Sequence, residues 1–326
     1  MRKILLWLAR HIGSSIRDAR TGRSLGRALL LPWRGKIHVI AAEMDLIPIP
    51  LPQQRLTYAV QEIGFTVHDE AASCSVGDHP LAPAAQVVAP LASYEGTRVL
   101  LVMIDHRSPE AVRSNLERWT QHGFAREEIL LAYGGTKENF ETVDWPQKFF
   151  VEDPRLRTRD HQREAQSYRE IFERTAQWLE GRDFTHVLLM EYDHVPLIPD
   201  LAHKYLDALA ATGADVLGHE VRRMDATIHP QWLVSVTTTY PTTPVWSMCG
   251  TGQFWKRAAW EAVAADHTHA DWYLELDLPT TAADHGFRLA SVAPFDPYFR
   301  SRLDWQRLSP DEARKRGAWT LHPVKS

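Results

Sequence analysis

Residues 184–196, FTHVLLMEYDHVP, constrain the chain most. Four consecutive apolar residues, Val187, Leu188, Leu189 and Met190, stop abruptly at Glu191-Tyr192-Asp193-His194. A short continuous apolar run suits a strand buried on both faces of a parallel sheet. The acidic cluster then falls at the carboxyl end of that strand, where open α/β sheets hold their ligands. Alternation along a strand would point Glu191 and Asp193 the same way. Two carboxylates converging on one small volume repel unless a cation or a proton lies between them, so the E-x-D spacing suits Mg2+ or Mn2+. The plainer alternative is a strand end that turns into solvent.

The elements around this strand set the fold class. Residues 98–105, RVLLVMID, predict another buried strand, followed by a helix over 109–122 with Ser108 as N-cap, Pro109 at the first helical position and Gly123 past the end. Strands are predicted at 128–132 and 148–152. A long helix is predicted at 160–179, with Ala165, Tyr168, Ile171, Phe172, Ala176 and Leu179 on one apolar face. A helix at 200–211 and a strand at 214–218 complete the alternation. Such an order predicts an α/β fold, a three-layer α/β/α sandwich with a mostly parallel central sheet, plus a small N-terminal accessory region.

That region, residues 1–95, is expected to differ from the domain at 96–326. Arginines and lysines dominate residues 2–36, opposed only by Asp18, and Ile4, Leu5, Leu8, Ile12 and Ile16 recur at near-helical spacing. This predicts a basic amphipathic helix over 2–17, packed on its own domain or resting on an anionic membrane surface. Glycines at 22, 26 and 35 between apolar runs predict a small β-rich segment over 21–41, and a Pro/Ala/Ser-rich linker follows at 71–90. A net charge of −4 argues against nucleic acid as the partner. Two cysteines make no disulfide framework, which points to the cytoplasm, with peripheral contact at the inner face of the membrane through the basic N-terminus. The first turn lacks G-x-G-x-x-G and no G-x-x-x-x-G-K-[ST] occurs, which argues against a nicotinamide enzyme and a P-loop phosphotransferase.

Further along, Ser247-Met248-Cys249-Gly250-Thr251-Gly252 reads as a glycine turn opening onto a helix over 253–265. Its backbone amides can approach a phosphate or a polyhydroxylated ligand, or simply make a tight connection. Trp246, Phe254 and Trp255 offer an aromatic platform or core. Glu275 and Asp277 form a second i, i+2 acidic pair ahead of a helix through 282–285.

From residue 97 to 325 the chain resembles a bacterial-type GT-A nucleotide-sugar glycosyltransferase, on the order of its elements and on Glu191-Tyr192-Asp193 as an E-x-D variant of that family's D-x-D. The resemblance implies a metal-dependent transfer of a hexosyl or pentosyl unit from a nucleotide-sugar donor to a carbohydrate or lipid-linked acceptor in polysaccharide biosynthesis. It implies Mn2+ or Mg2+ held by Glu191, Asp193 and a C-terminal histidine, His322. It also implies an inverting mechanism with Glu275, or else Asp277, as the base, although either carboxylate can instead cap a helix or pair with Arg288. By position in such a fold Asp105 contacts the nucleotide, Arg159, Arg163 and Lys325 face its phosphates, and Trp246, Gly250, Thr251 and Gly252 face the acceptor. A nucleotidyltransferase and a non-catalytic carbohydrate- or nucleotide-binding protein on the same fold are the alternatives. The first of these normally carries a glycine-rich loop that Ile104-Asp105-His106-Arg107-Ser108 lacks.

Overall fold

The computed structural model describes residues 87–153, 165–224, 245–270, 272, 274–296 and 309–324. Before residue 87 it describes the backbone of four strands, β1 (Ser14–Asp18), β2 (Ser24–Trp33), β3 (Lys36–Ala41) and β4 (Phe65–His68). The chain divides into two compact units. In the first, the four strands form an antiparallel sheet in the order β3-β2-β1-β4. The expected β-rich segment is thus a sheet, but the helix expected over 2–17 is not continued at its C-terminal end. Ser14–Asp18 is a strand, because ladder pairing on both of its edges overrides the local apolar spacing. Residues 2–13 lie outside the described residues.

The second unit is built on a seven-stranded sheet. Its strands are β5 (Val99–Asp105), β6 (Ile129–Tyr133), β7 (Lys148–Phe150), β8 (His186–Glu191), β10 (Val216–Gly218), β13 (Gln253–Lys256) and β14 (Leu289–Ser291). Short strands β9 (Val195–Pro196), β11 (Arg222–Met224), β12 (Val245–Ser247) and β15 (Thr320–Leu321) form two-stranded ribbons, β11 with β12 and β9 with β15. The order across the large sheet is β14-β10-β13-β8-β5-β6-β7. Every strand is parallel except β13, which runs antiparallel to both β8 and β10.

The helices are α1 (Pro109–Thr120), α2 (Lys137–Thr142), α3 (Ala165–Leu179), α4 (Leu201–Thr212), α5 (Arg257–Ala265), α6 (Leu274–Asp284) and α7 (Pro310–Lys315). Strand alternation divides the sheet between two core layers. Leu101, Met103, Leu131, Leu188, Met190 and Phe254 pack with Val112, Leu116 and Trp119 of α1 and Leu201 and Tyr205 of α4. Leu100, Val102, Leu130, Val187, Leu189 and Trp255 pack on the other face with Ile171 and Phe172 of α3, Trp260 of α5 and Leu278 of α6. Helices therefore cover both faces, as the uninterrupted apolar runs of β5 and β8 require. Each such side chain contributes about 1.5–3 kcal/mol when fully buried.

Two expected boundaries are corrected. The helix expected from residue 253 begins at Arg257, because residues 253–256 fill the sheet between β8 and β10, with Phe254 and Trp255 turned to opposite core layers. These two rings are therefore core, not a sugar platform. The helix expected from residue 282 begins at Leu274, so Glu275 and Asp277 lie in its first turn. Pro279 has no amide hydrogen to give the carbonyl of Glu275 four residues back. The Met248 amide takes that carbonyl instead, at 2.9 Å, and so ties the residues after β12 to α6.

Candidate metal centre

Glu191 is the last residue of β8, and by strand parity its side chain lies on the α3 face of the sheet. Asp193 sits two residues later in a turn closed by the His194 amide on the Glu191 carbonyl at 3.0 Å. The two carboxylates converge through that turn, not through the strand alternation that the sequence suggests. The third member comes from the far end of the chain. β15 pairs antiparallel with β9, Thr320 opposite Pro196 and Leu321 opposite Val195, and the Val324 amide donates to the Asp193 carbonyl at 2.7 Å. This pairing delivers His322. Its Nε2 lies 3.3 Å from Asp193 Oδ1 and 3.8 Å from Glu191 Oε2. One ligand atom from each of the three lies within 4.8 Å of the other two.

The two carboxylates of this triad favour positive charge between them. Burial alone would push the His322 imidazole down, but the carboxylates of Asp193 and Glu191 raise it to about 9. A positive charge is therefore favoured between the two acids, and a proton on His322 supplies it in the metal-free chain. Asp193 and His322 are both buried, whereas the side chain of Glu191 keeps 28% of its surface exposed.

Neutral groups back the triad. The Thr251 hydroxyl accepts from the Glu191 amide at 2.9 Å and lies 3.0 Å from His194 Nδ1. Burial, reinforced by His322 and His219, holds His194 well below the ordinary histidine range, so it stays neutral. Gly252 has φ 72° and gives its amide to the Leu189 carbonyl at 3.0 Å. A Cβ there would stand 2.7 Å from His219 Cδ2 and 2.8 Å from His194 Cε1, so only glycine fits.

Glu275 reaches the same place from α6. Its Oε1 accepts from the Gly250 amide at 3.0 Å, and Oε1 of Glu275 and Oε1 of Glu191 each lie 3.7 Å from where a Gly250 Cβ would be. The structure thus brings Glu191, Asp193, His322, Glu275 and the glycine turn together. Thr251 is enclosed behind the triad, and Trp246 is half-buried, its amide and carbonyl both bonded to Thr280.

Asp277 is placed elsewhere. It is fully buried and forms a two-oxygen pair with the Arg169 guanidinium, one bond at 2.6 Å, with Thr281 donating to it at 3.1 Å. Asp105 is likewise buried. It holds Arg107 through bonds of 2.9 and 2.6 Å and accepts from the amides of residues 106 and 107. Arg107 in turn lies 4.8 Å over the Tyr192 ring, and the His106 ring stands nearly perpendicular to that of Tyr192, their centroids 4.7 Å apart. Arg159, Arg163 and Lys325 lie outside the described residues.

Sequence reasoning missed Tyr168, Arg169, Thr251's hold on the Glu191 amide, and Asp296. Tyr168 carried a signal in its hydroxyl, placed on the helix just before β8. Asp296 carried none.

No family model and no curated protein matches the chain. Among solved structures it is similar to glycosyltransferases. One is the mannosyltransferase PcManGT from Pyrobaculum calidifontis in complex with GDP-Man and Mn2+, at 15% identity and a TM-score of 0.36, covering 63% of this chain. The match spans 56% of that protein's length. Another is a glycosyltransferase involved in the glycosylation of the major capsid of PBCV-1, at 12% identity and a TM-score of 0.38, covering 70% of this chain and 94% of the other. At these values neither neighbour assigns a residue, a substrate or a metal to this chain.

Proposed function

We propose that residues 96–326 are a metal-dependent glycosyltransferase domain that moves a hexosyl or pentosyl unit from a nucleotide-sugar donor to a hydroxyl of a carbohydrate or lipid-linked acceptor, with inversion. The observation that carries this reading is the convergence of Glu191, Asp193 and His322 at the carboxyl edge of the sheet. Two carboxylates and one imidazole, two of them buried, fit Mn2+ or Mg2+. Such a cation, when bound, supplies Lewis-acid neutralisation of the departing nucleoside diphosphate. The rest falls to the chain. Glu275, fixed at Oε1 by the Gly250 amide, takes the proton from the acceptor hydroxyl as its oxygen attacks the anomeric carbon. Asp105 remains the sequence's candidate for the nucleotide by its position at the end of β5, its carboxylate engaged by Arg107. Arg159, Arg163 and Lys325 remain the sequence's candidates for phosphate contacts, and Trp246 its candidate for the acceptor.

The test is a thermal-shift and calorimetry screen of UDP, GDP, CDP and dTDP, each with Mn2+, Mg2+ or chelator, on wild type and Asp193→Ala. A ligand of the native state at about a hundredfold excess over its Kd stabilises by roughly 2.7 kcal/mol, a readily seen rise in Tm. One nucleotide should bind in a metal-dependent way and be lost in Asp193→Ala. Absence of binding with every metal overturns the catalytic reading and leaves a carbohydrate-binding protein on this fold.

A further inference from the structure

Tyr168 lies at the N-terminal end of α3 on its apolar face and is 2% exposed, packed in the layer that covers β8. A core position of this kind asks only for an aromatic ring, yet this ring carries a hydroxyl that donates to Glu191 Oε1. The other oxygen of the same carboxylate, Oε2, is the one that faces His322. Glu191 is thus held at its amide by Thr251, at its Oε1 by Tyr168, and in its course by the β8 ladder. Glutamate has one more rotatable bond than aspartate, so without such a grip it samples more orientations before it can act as a ligand.

We propose that Tyr168 is a positioning residue that removes Oε1 of Glu191 from the metal and presents Oε2 alone, so that glutamate binds through a single oxygen in a place where a shorter acid would need no such hold. This rests on the reading of Glu191 as a metal ligand. A hydrogen bond that orients a ligating group commonly changes metal affinity by about 10–100-fold.

The experiment is a Mn2+ titration of the full chain, followed by the electron paramagnetic resonance signal of the free ion. It compares wild type, Tyr168→Phe, Glu191→Asp and the double variant, with metal-free Tm measured alongside. Phenylalanine keeps the ring and the packing. Aspartate withdraws the carboxylate by about 1.5 Å, one carbon–carbon bond, out of reach of the hydroxyl. Tyr168→Phe should weaken Mn2+ binding tenfold or more in the wild-type background and leave Glu191→Asp unchanged. Equal Mn2+ affinity in wild type and Tyr168→Phe overturns the proposal. So does an equal loss in both backgrounds, which would mean that the hydroxyl acts through the fold. A wild type that binds no Mn2+ is a different result, because it removes the metal site itself and the positioning role with it.

Discussion

Glu275 and Asp277 are two residues apart, and on a helix residues at that spacing face different ways. Their fates differ accordingly. Glu275 turns to the glycine turn and the triad, whereas Asp277 turns inward to Arg169, which also gives hydrogens to the carbonyls of Val263 and Asp266. Burial raises the Asp277 carboxyl despite the bonds from Arg169 and Thr281 that oppose it. Removing one member of a buried pair leaves the other charge without its partner, at a cost of about 3–5 kcal/mol. Asp277→Ala should therefore lower the stability measured by urea unfolding by that much, with activity lost only through unfolding. Glu275→Gln should do the reverse: stability within about 1 kcal/mol of wild type and kcat down by about 10²–10⁴, with donor Kd unchanged. Paired denaturation and steady-state measurements separate the two, and a stable but inactive Asp277→Ala would reverse the assignment. Tyr168 and Arg169 are neighbours on α3, so one turn of that helix holds both the Glu191 carboxylate and, through Asp277, the helix α6 that carries Glu275.

At the scale of elements, the glycine turn shows how much the sequence discloses. Two glycines beside a β-branched hydroxyl announce a tight turn, and the turn is there, with Gly252 in the left-handed region. Its purpose is not legible locally, because the groups that crowd it, His194 and His219, come from two other strand ends. Gly252→Ala should cost about 2 kcal/mol from the strained φ and the displaced imidazoles, and should weaken Mn2+ binding through the shift of Thr251 against the Glu191 amide. Scanning calorimetry with and without Mn2+ checks both effects, and an alanine variant that melts with wild type refutes the crowding argument. The same contrast runs through the fold. β5 and β8 could be read from their uninterrupted apolar runs, and Glu191 and Asp193 from the stop that follows. β13 could not, because Gln253-Phe254-Trp255-Lys256 is as compatible with a helix as with a strand until its neighbours in the sheet are known. Asp105 looked free for a ligand because the bond that consumes it, from Arg107, depends on the turn after β5 and not on spacing alone.

At the scale of the whole second unit, the cluster of Glu191, Asp193 and His322 depends on a C-terminal segment that a buried carboxylate helps to anchor. Asp296 is fully buried and accepts from the amides of Trp319 and Thr320 at 3.0 and 3.2 Å and from the Thr320 hydroxyl at 2.7 Å, two residues before His322. Burial raises its carboxyl from 3.8 to about 7, outweighing these three bonds. The folded chain therefore keeps this proton at pH values where the unfolded chain has released it. The stability that the protonated group contributes is complete below about pH 4 and is lost as pH rises through about 7, because the folded state binds more protons across that window. At about 1.36 kcal/mol per pH unit, the span from 3.8 to about 7 sets the size of the effect at roughly 4 kcal/mol. Asp296→Asn, neutral at every pH, should be less stable than wild type at pH 4.5, where its amide meets the Thr320 N–H, and should close that gap by pH 8. Urea midpoints of both proteins in chelator, measured from pH 4.5 to 8, give the difference directly, since every other titrating group is common to the two. Curves that stay parallel across the range would show that Asp296 is ionised in the folded chain, and that the three donors, not burial, decide its charge.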